Sequence, residues 1–317
     1  MSSSHSQRHP APTRLARRPL MAATLLVLAM LAALTSCIRE ELPPCPPLRV
    51  TIDVLDKNYF NVNQVDLEER LADDLPLRSY VPTLWWRLSR LDADGTLTPA
   101  AERGVFAVEG EEPTHDITFS DDLPHGTYVF TVWGGLSDLS ALSADRRTLT
   151  FHPGESEGAD VYMTCDTLVY DATHHTHTAL LRRTKGKLIV QVEQLPADIC
   201  RSCEYIDGLF GTLDCEPIAY SGRTRVTDRN AWAPGTSPVV TKTVLAPSVG
   251  QRQSTLSMHF HNDPTRGEPM LAPEDVAITL RRNELTVLRY VWEGGDGWAI
   301  YILVNDGWER VHGMEID

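Results

Sequence analysis

Positive charge is scarce in this chain: 29 Lys and Arg stand against 43 Asp and Glu, for a formal net charge of -14. A surface of that sign repels phosphate backbones and anionic headgroups, which argues against nucleic-acid binding and electrostatic docking on a membrane. Strong amphipathic helical stretches are also scarce, leaving β structure as the architecture. No phosphate loop, dinucleotide fingerprint or Gly-x-Ser-x-Gly elbow stands out, so no common catalytic motif commends itself and no cofactor is expected. An apolar run long enough to span a bilayer is missing too. Leu20 to Leu34 holds fifteen residues without charge or Pro. As a helix it reaches roughly 22 Å, short of a hydrocarbon core about 30 Å thick.

That short run has another use. Arg14, Arg17 and Arg18 precede it as a positive n-region, and Leu34-Thr35-Ser36-Cys37 closes it with small residues ending in cysteine. The order is that of an export signal ending in a bacterial lipobox. Residues 1–36 are therefore expected to be a lipoprotein signal peptide, cleaved between Ser36 and Cys37. The Cys37 sulfur then carries a diacylglycerol, and the freed α-amine is acylated with a palmitate-type chain. Two or three such chains anchor a protein stably, because each buried methylene contributes about 0.8 kcal/mol. Cleavage removes four Arg and no acid, taking the formal charge from -14 to -18. About 280 residues remain, enough for two domains that each bury a core.

Residues 37–47 read as an acylated start and a stiff spacer, with Glu40 and Glu41 ahead of Pro43, Pro44, Pro46 and Pro47. Leu48, Val50, Ile52 and Val54 then alternate with polar residues as a half-buried strand does. Val65 to Asp74 is expected to form a short helix. Leu84 to Leu91 reads as a strand ending in an Asp92-Ala93-Asp94-Gly95 hairpin turn. Tyr128 to Trp133 carries apolar side chains on both faces, as an inner sandwich strand does. The polar, His-rich segment Asp171 to Thr178 is placed at a domain boundary, giving domains 48–172 and 173–317. A second β series follows, with strands at 188–195, 239–245, 255–260, 276–280, 286–292 and 298–304.

The polar clusters have bland readings that outweigh the chemical ones. His174, His175 and His177 are of ligand type but have no matched distant partner. Cys200-Arg201-Ser202-Cys203 has redox or half-zinc spacing, without the βαβ setting or second pair either needs. Asp73-Asp74, Glu111-Glu112 and Asp121-Asp122 are adjacent acids, which point to opposite faces on a strand. Six of the seven Trp lie in or beside predicted strands, where core packing is the commoner use than sugar stacking. Five Cys remain after Cys37: Cys45, Cys165, Cys200, Cys203 and Cys215. Cys200 with Cys203 or Cys215 is a plausible bond, and the odd number leaves at least one thiol over.

Several blocks taken together resemble the FimB/Mfa2 family of fimbrial anchor lipoproteins of Bacteroidales. They are the lipobox at Cys37 with Glu40, Glu41 and Cys45, the strand Leu48 to Val54, and the strand leading to Asp92-Ala93-Asp94-Gly95. Leu123-Pro124-x-Gly126-x-Tyr128 to Trp133-Gly134, Asp166 to Tyr170, Leu180 to Pro196 and Ile302 to Trp308 with Val311 complete the set. The resemblance implies an all-β chain of two tandem transthyretin-like β-sandwich domains and a non-enzymatic role. It implies a protein lipid-anchored in the outer membrane, facing outward, that holds the base of a fimbria and limits its length. Its partner is then a fimbrial shaft subunit, joined by strand addition at a sheet edge or terminal strand such as Trp298 to Val304. A surface glycan-binding lipoprotein is the alternative.

Overall fold

The alternation from Leu48 to Val54 becomes β1 (Arg49–Val54), in which Val50, Ile52 and Val54 are buried. A computed structural model describes residues 46–262, 268–295, 297–305 and 307–311 of the chain. All of them belong to one unit, 45–317. The expected signal peptide, Cys37 and most of the expected spacer lie outside the described residues.

β1 takes part in a seven-stranded sheet with β2 (Thr83–Leu91), β3 (Leu97–Ala107), β4 (His115–Thr118), β5 (Gly126–Gly134), β7 (Tyr162–Tyr170) and β8 (Thr176–Arg183). The order is β3-β2-β5-β7-β8-β1-β4. Between β7 and β8 the ladder holds only at Tyr162↔Arg183 and Met163↔Arg182. The sheet turns over on itself at that corner and encloses Val50, Ile52, Ala179 and Leu181 against Leu88, Phe130, Val132 and Leu168. β5 is an inner strand, as its two apolar faces require: Tyr128, Phe130 and Val132 face this core, and Trp133 faces another. At the β2–β3 corner Gly95 has φ +84°, and the Asp94 carboxylate accepts the Thr96 N–H at 2.9 Å, so the aspartates there serve a turn.

The rest of the chain builds a second pair of sheets. One has the order β14-β9-β17-β18-β19, from β9 (Gly186–Glu193), β14 (Val239–Leu245), β17 (Leu285–Gly294), β18 (Gly297–Val304) and β19 (Gly307–Arg310). The other, β13-β10-β15-β16, comprises β10 (Arg201–Leu209), β13 (Thr224–Ala231), β15 (Ser254–His261) and β16 (Val276–Ile278). Val190, Leu288 and Tyr290 of the first share a core with Ile206, Leu256 and Phe260 of the second. A small sheet, β12 (Ile218–Ser221), β11 (Thr212–Cys215) and β6 (Thr148–Thr150), extends that core to Trp85 and Trp133 through Leu149 and Leu213. The fold is all-β and sandwich-like, as the scarcity of helical periodicity implied.

One local expectation is corrected. Val65 to Asp74 is not helical: a 3-10 turn occupies Val62–Gln64 and one helical turn Leu77–Tyr80. Tyr59, Val62 and Val65 instead lie on Ile189, Leu285 and Val287, so tertiary burial on a sheet face replaces helix formation here. Asp171 to Thr178 holds a tight turn at the start of β8. The Asp171 carboxylate accepts the N–H groups of Thr173 and His174 at 2.7 and 2.8 Å, turning the chain directly into β8. β8 then pairs parallel with β1 along its length, from Arg49↔Thr176 to Val54↔Leu181. The strand after the 172/173 boundary thus hydrogen-bonds to the first strand of the chain.

A buried polar knot lies where β8 runs into β9. The Arg183 side chain, 7% exposed, donates to Asp160 and to Asn283 Oδ1, both at 3.0 Å, and also to the Tyr162 hydroxyl. Its guanidinium sits 3.9 Å from the centre of the Tyr59 ring. The Arg183 N–H and Arg282 both donate to Asp56, at 2.9 and 2.8 Å. Gly135, with φ +82°, lets β5 end against this knot, since a Cβ there would stand 2.3 Å from the Asp160 carbonyl oxygen.

Candidate functional site

A sheet joins another chain through an edge with free backbone groups and apolar side chains beside it. Most edges of this molecule are blunted. β16 has only three residues. β3 carries Pro99 and two register shifts, and β14 is covered by Glu157 accepting the Val244 N–H and by Glu68 pairing with Lys242. β13 presents Arg225, which pairs with Glu155, together with Asp228 and Arg229.

β19 differs. Its four residues are all exposed, and among the described residues it pairs only with β18, from Val304↔Gly307 to Tyr301↔Arg310. The Val311 N–H donates to the Ile300 carbonyl at 2.7 Å, which fixes the alternation of the ladder. Glu309 and Val311 bond inward to β18 and the Gly307 N–H donates to the Asn305 carbonyl at 2.8 Å, while the N–H and C=O groups of Trp308 and Arg310 point outward, as antiparallel pairing dictates. Asn305, at φ +46°, reverses the chain between the two strands. Trp298 to Val304, proposed from sequence as the terminal strand or edge, is corrected: β18 has β17 on one side and β19 on the other.

The flanks of this edge are apolar on both faces. Trp298 and Ile302 are half-buried and rest on the inner core, where Trp298 stacks on Phe260 at 5.3 Å. On the outer face Trp308 is 39% exposed, and the Arg289 guanidinium lies 5.2 Å from the Tyr301 ring and 5.3 Å from that of Trp308. β18 is only partly buried and β19 exposed along its length.

The other sequence candidates disperse. His174 turns to Asp171 at 3.0 Å, and His177 donates to the Val169 carbonyl at 3.0 Å. Among the described residues no group of three or more His, Cys, Asp or Glu is placed to hold a metal. Cys200 and Cys203 are unbonded to each other, and Asp73, Asp74, Glu111, Glu112, Asp121 and Asp122 are exposed. Trp85, Trp86 and Trp133 are buried, and Arg87 lies over the Trp85 ring at 5.3 Å, so those faces are closed to a sugar. Gly154-Glu155-Ser156-Glu157-Gly158 has elbow spacing that sequence reasoning passed over. Its Ser156 hydroxyl donates to the Pro153 carbonyl at 2.9 Å, and His152 is occupied by the Ser156 carbonyl and the Ala246 N–H, so no nucleophile and base meet.

Sequence reasoning also missed Glu204, a carboxylic acid at 0% exposure in β10. Asn230 donates to its Oε1 at 3.4 Å, Oε2 has no hydrogen-bond partner, and Asp228 stands directly opposite in β13. Burial, with the Asp228 charge adding to it, pushes its pKa up to about 7. The folded protein thus holds this proton where the unfolded chain releases it, so the group's contribution to stability is lost as pH rises from about 4.5 to 7. Glu204→Gln is expected to match the parent at pH 4.5 and to exceed it by roughly 2–3 kcal/mol at about pH 8. Urea unfolding at the two pH values checks this. A constant difference between them contradicts it.

No helix among the described residues is long and apolar enough to cross a membrane. No family model matches the sequence, and no curated protein matches it significantly. Solved structures share the fold. A candidate adhesin from Bacteroides ovatus superposes with a TM-score of 0.53 at 15% identity, over 88% of this chain and 98% of that one. A candidate polysaccharide-binding protein from Bacteroides thetaiotaomicron gives 0.53 at 14% identity, over 84% and 99%. The fimbrial anchor protein Mfa2 from Porphyromonas gingivalis is a looser neighbour, with 0.48 at 14% identity over 84% and 100%. At these identities the likeness is one of fold.

Proposed function

We propose that this chain is a lipid-anchored fimbrial protein of the outer membrane, which holds the base of a fimbria on the cell surface and limits its length. The shaft subunit adds a strand alongside β19. The observation that carries the junction is the outward row at Trp308 and Arg310 on an exposed edge strand, flanked by half-buried Trp298 and Ile302. The sequence resemblance supplies the fimbrial partner, and the adhesin-like fold agrees with it. Acyl chains on Cys37 tie the other end to the bilayer. A junction on one side and lipid on the other is what an anchor needs, and no catalytic step is required of it.

A proline at position 310 tests the junction. Arg310→Pro removes one outward N–H while sparing the inward bonds of Glu309 and Val311. Recovery of fimbrial subunits with the membrane-bound protein is expected to fall at least about tenfold, with Tm changed by about 1 °C or less. Full recovery of the shaft with this variant overturns the assignment to β19. The buried Trp85, Trp86 and Trp133 rings favour this reading over a glycan-binding lipoprotein.

A further inference from the structure

Cys165 and Cys215 are fifty positions apart in the sequence, on β7 and β11. The fold brings these strands into contact and packs both side chains into one core, where each thiol is the chief influence on the ionisation of the other. Cys215 is 2% exposed inside the core that spans the sheets, and Cys165 packs against that core from its edge. Both are held in place. The Cys215 N–H donates to the Arg147 carbonyl at 2.8 Å, and Thr131, opposite Cys165 on β5, puts its hydroxyl 3.6 Å from the Cys165 sulfur. The pairings suggested by spacing are not met: the Cys200 thiol turns to the Asn262 carbonyl at 3.6 Å, and Cys203 lies on β10 between β13 and β15.

We infer that Cys165 and Cys215 form a disulfide that staples β7 of the folded-over sheet to β11 of the small sheet. Cys165 is the entry point, being half-buried where Cys215 is fully buried. The neighbouring Cys215 holds its thiol below the ordinary range, while Cys165 and burial push Cys215 up. The oxidant is a small or protein disulfide. The Cys165 thiolate attacks one of its sulfurs and releases the first thiol. Cys215 then loses its proton, attacks the Cys165 sulfur and releases the second. Two cysteine thiols are oxidised, and the donor disulfide is reduced to two thiols that take up the two protons. The bond's presence in cells rests on the export reading; its formation in solution does not.

The folded, purified chain is incubated with oxidised glutathione, alkylated in denaturant without reduction, digested and mapped by mass spectrometry. The expected product is one peptide pair joined through Cys165 and Cys215. Reduction with dithiothreitol is then expected to lower the Tm of the parent on the order of 5–10 °C, because the bond closes a long loop. Cys165→Ala is expected to show no such response to the reductant. Quantitative alkylation of both cysteines after the glutathione step, or a bond from either to Cys200 or Cys203, overturns the assignment. A reductant-sensitive Tm that persists unchanged in Cys165→Ala does so as well.

Discussion

Cys37→Ser is expected to move the protein from the membrane fraction to the soluble fraction almost completely, and to release fimbriae into the medium. Serine has nearly the size of cysteine, but its hydroxyl does not take the diacylglycerol, so the exported, processed chain carries no acyl group. The affinity at stake is large. At about 0.8 kcal/mol per buried methylene, two or three long chains hold a protein on a bilayer almost permanently, whereas one alone is marginal. Little else on the chain would compensate. The mature formal charge of -18 opposes anionic headgroups, and no described helix can span. Fractionation with and without carbonate washing, together with mass spectrometry of the mature amino terminus, reads the outcome. A Cys37→Ser variant that stays as firmly attached as the parent removes the basis of the anchor.

Arg183→Ala is expected to cost about 3–5 kcal/mol, lowering Tm on the order of 10 °C. The loss comes less from missing attraction than from what stays behind. Asp160 keeps a buried carboxylate with its cation gone, and Asn283 and Tyr162 lose their donor. Burial already raises the Asp160 pKa against the pull of Arg183, Lys185 and Lys187, so removing the guanidinium leaves the charged form poorly supported. Combining Arg183→Met with Asp160→Asn removes both charges and fills much of the space. It is expected to recover more than half of the loss, as replaced ion pairs do. Thermal and urea unfolding of the parent, the two Arg183 single variants and the double variant measures the coupling. Equal losses in the single and double variants contradict a charge-based origin.

The legible parts of the fold were those whose signal is local. Leu48 to Val54 alternates because one face is buried, and Tyr128 to Trp133 is apolar on both faces because β5 has cores on both sides. The Asp94-Gly95 corner announces itself through the positive φ that glycine tolerates. Less legible were β3, with exposed charges on both faces, and β10 to β13, where Glu204, Asp228 and Arg229 interrupt the apolar pattern. The segment from Val65 to Asp74 looked helical for want of a strand pattern. The apolar residues that lead into it, Tyr59, Val62 and Val65, answer to a sheet face more than a hundred positions away, at Ile189, Leu285 and Val287.

The sequence by itself determined the all-β class and most strand positions, and it alone carries the proposed lipobox at Cys37, because each rests on side-chain period or on chemistry within a few residues. Only the tertiary structure decided that β18 is an inner strand and β19 the open edge, that Cys215 meets Cys165, and that Glu204 is a buried acid. Edge status, thiol partnership and burial are properties of what lies beside a residue in space, and strands far apart in the chain supply those neighbours. A short window of residues carries no record of sheet order.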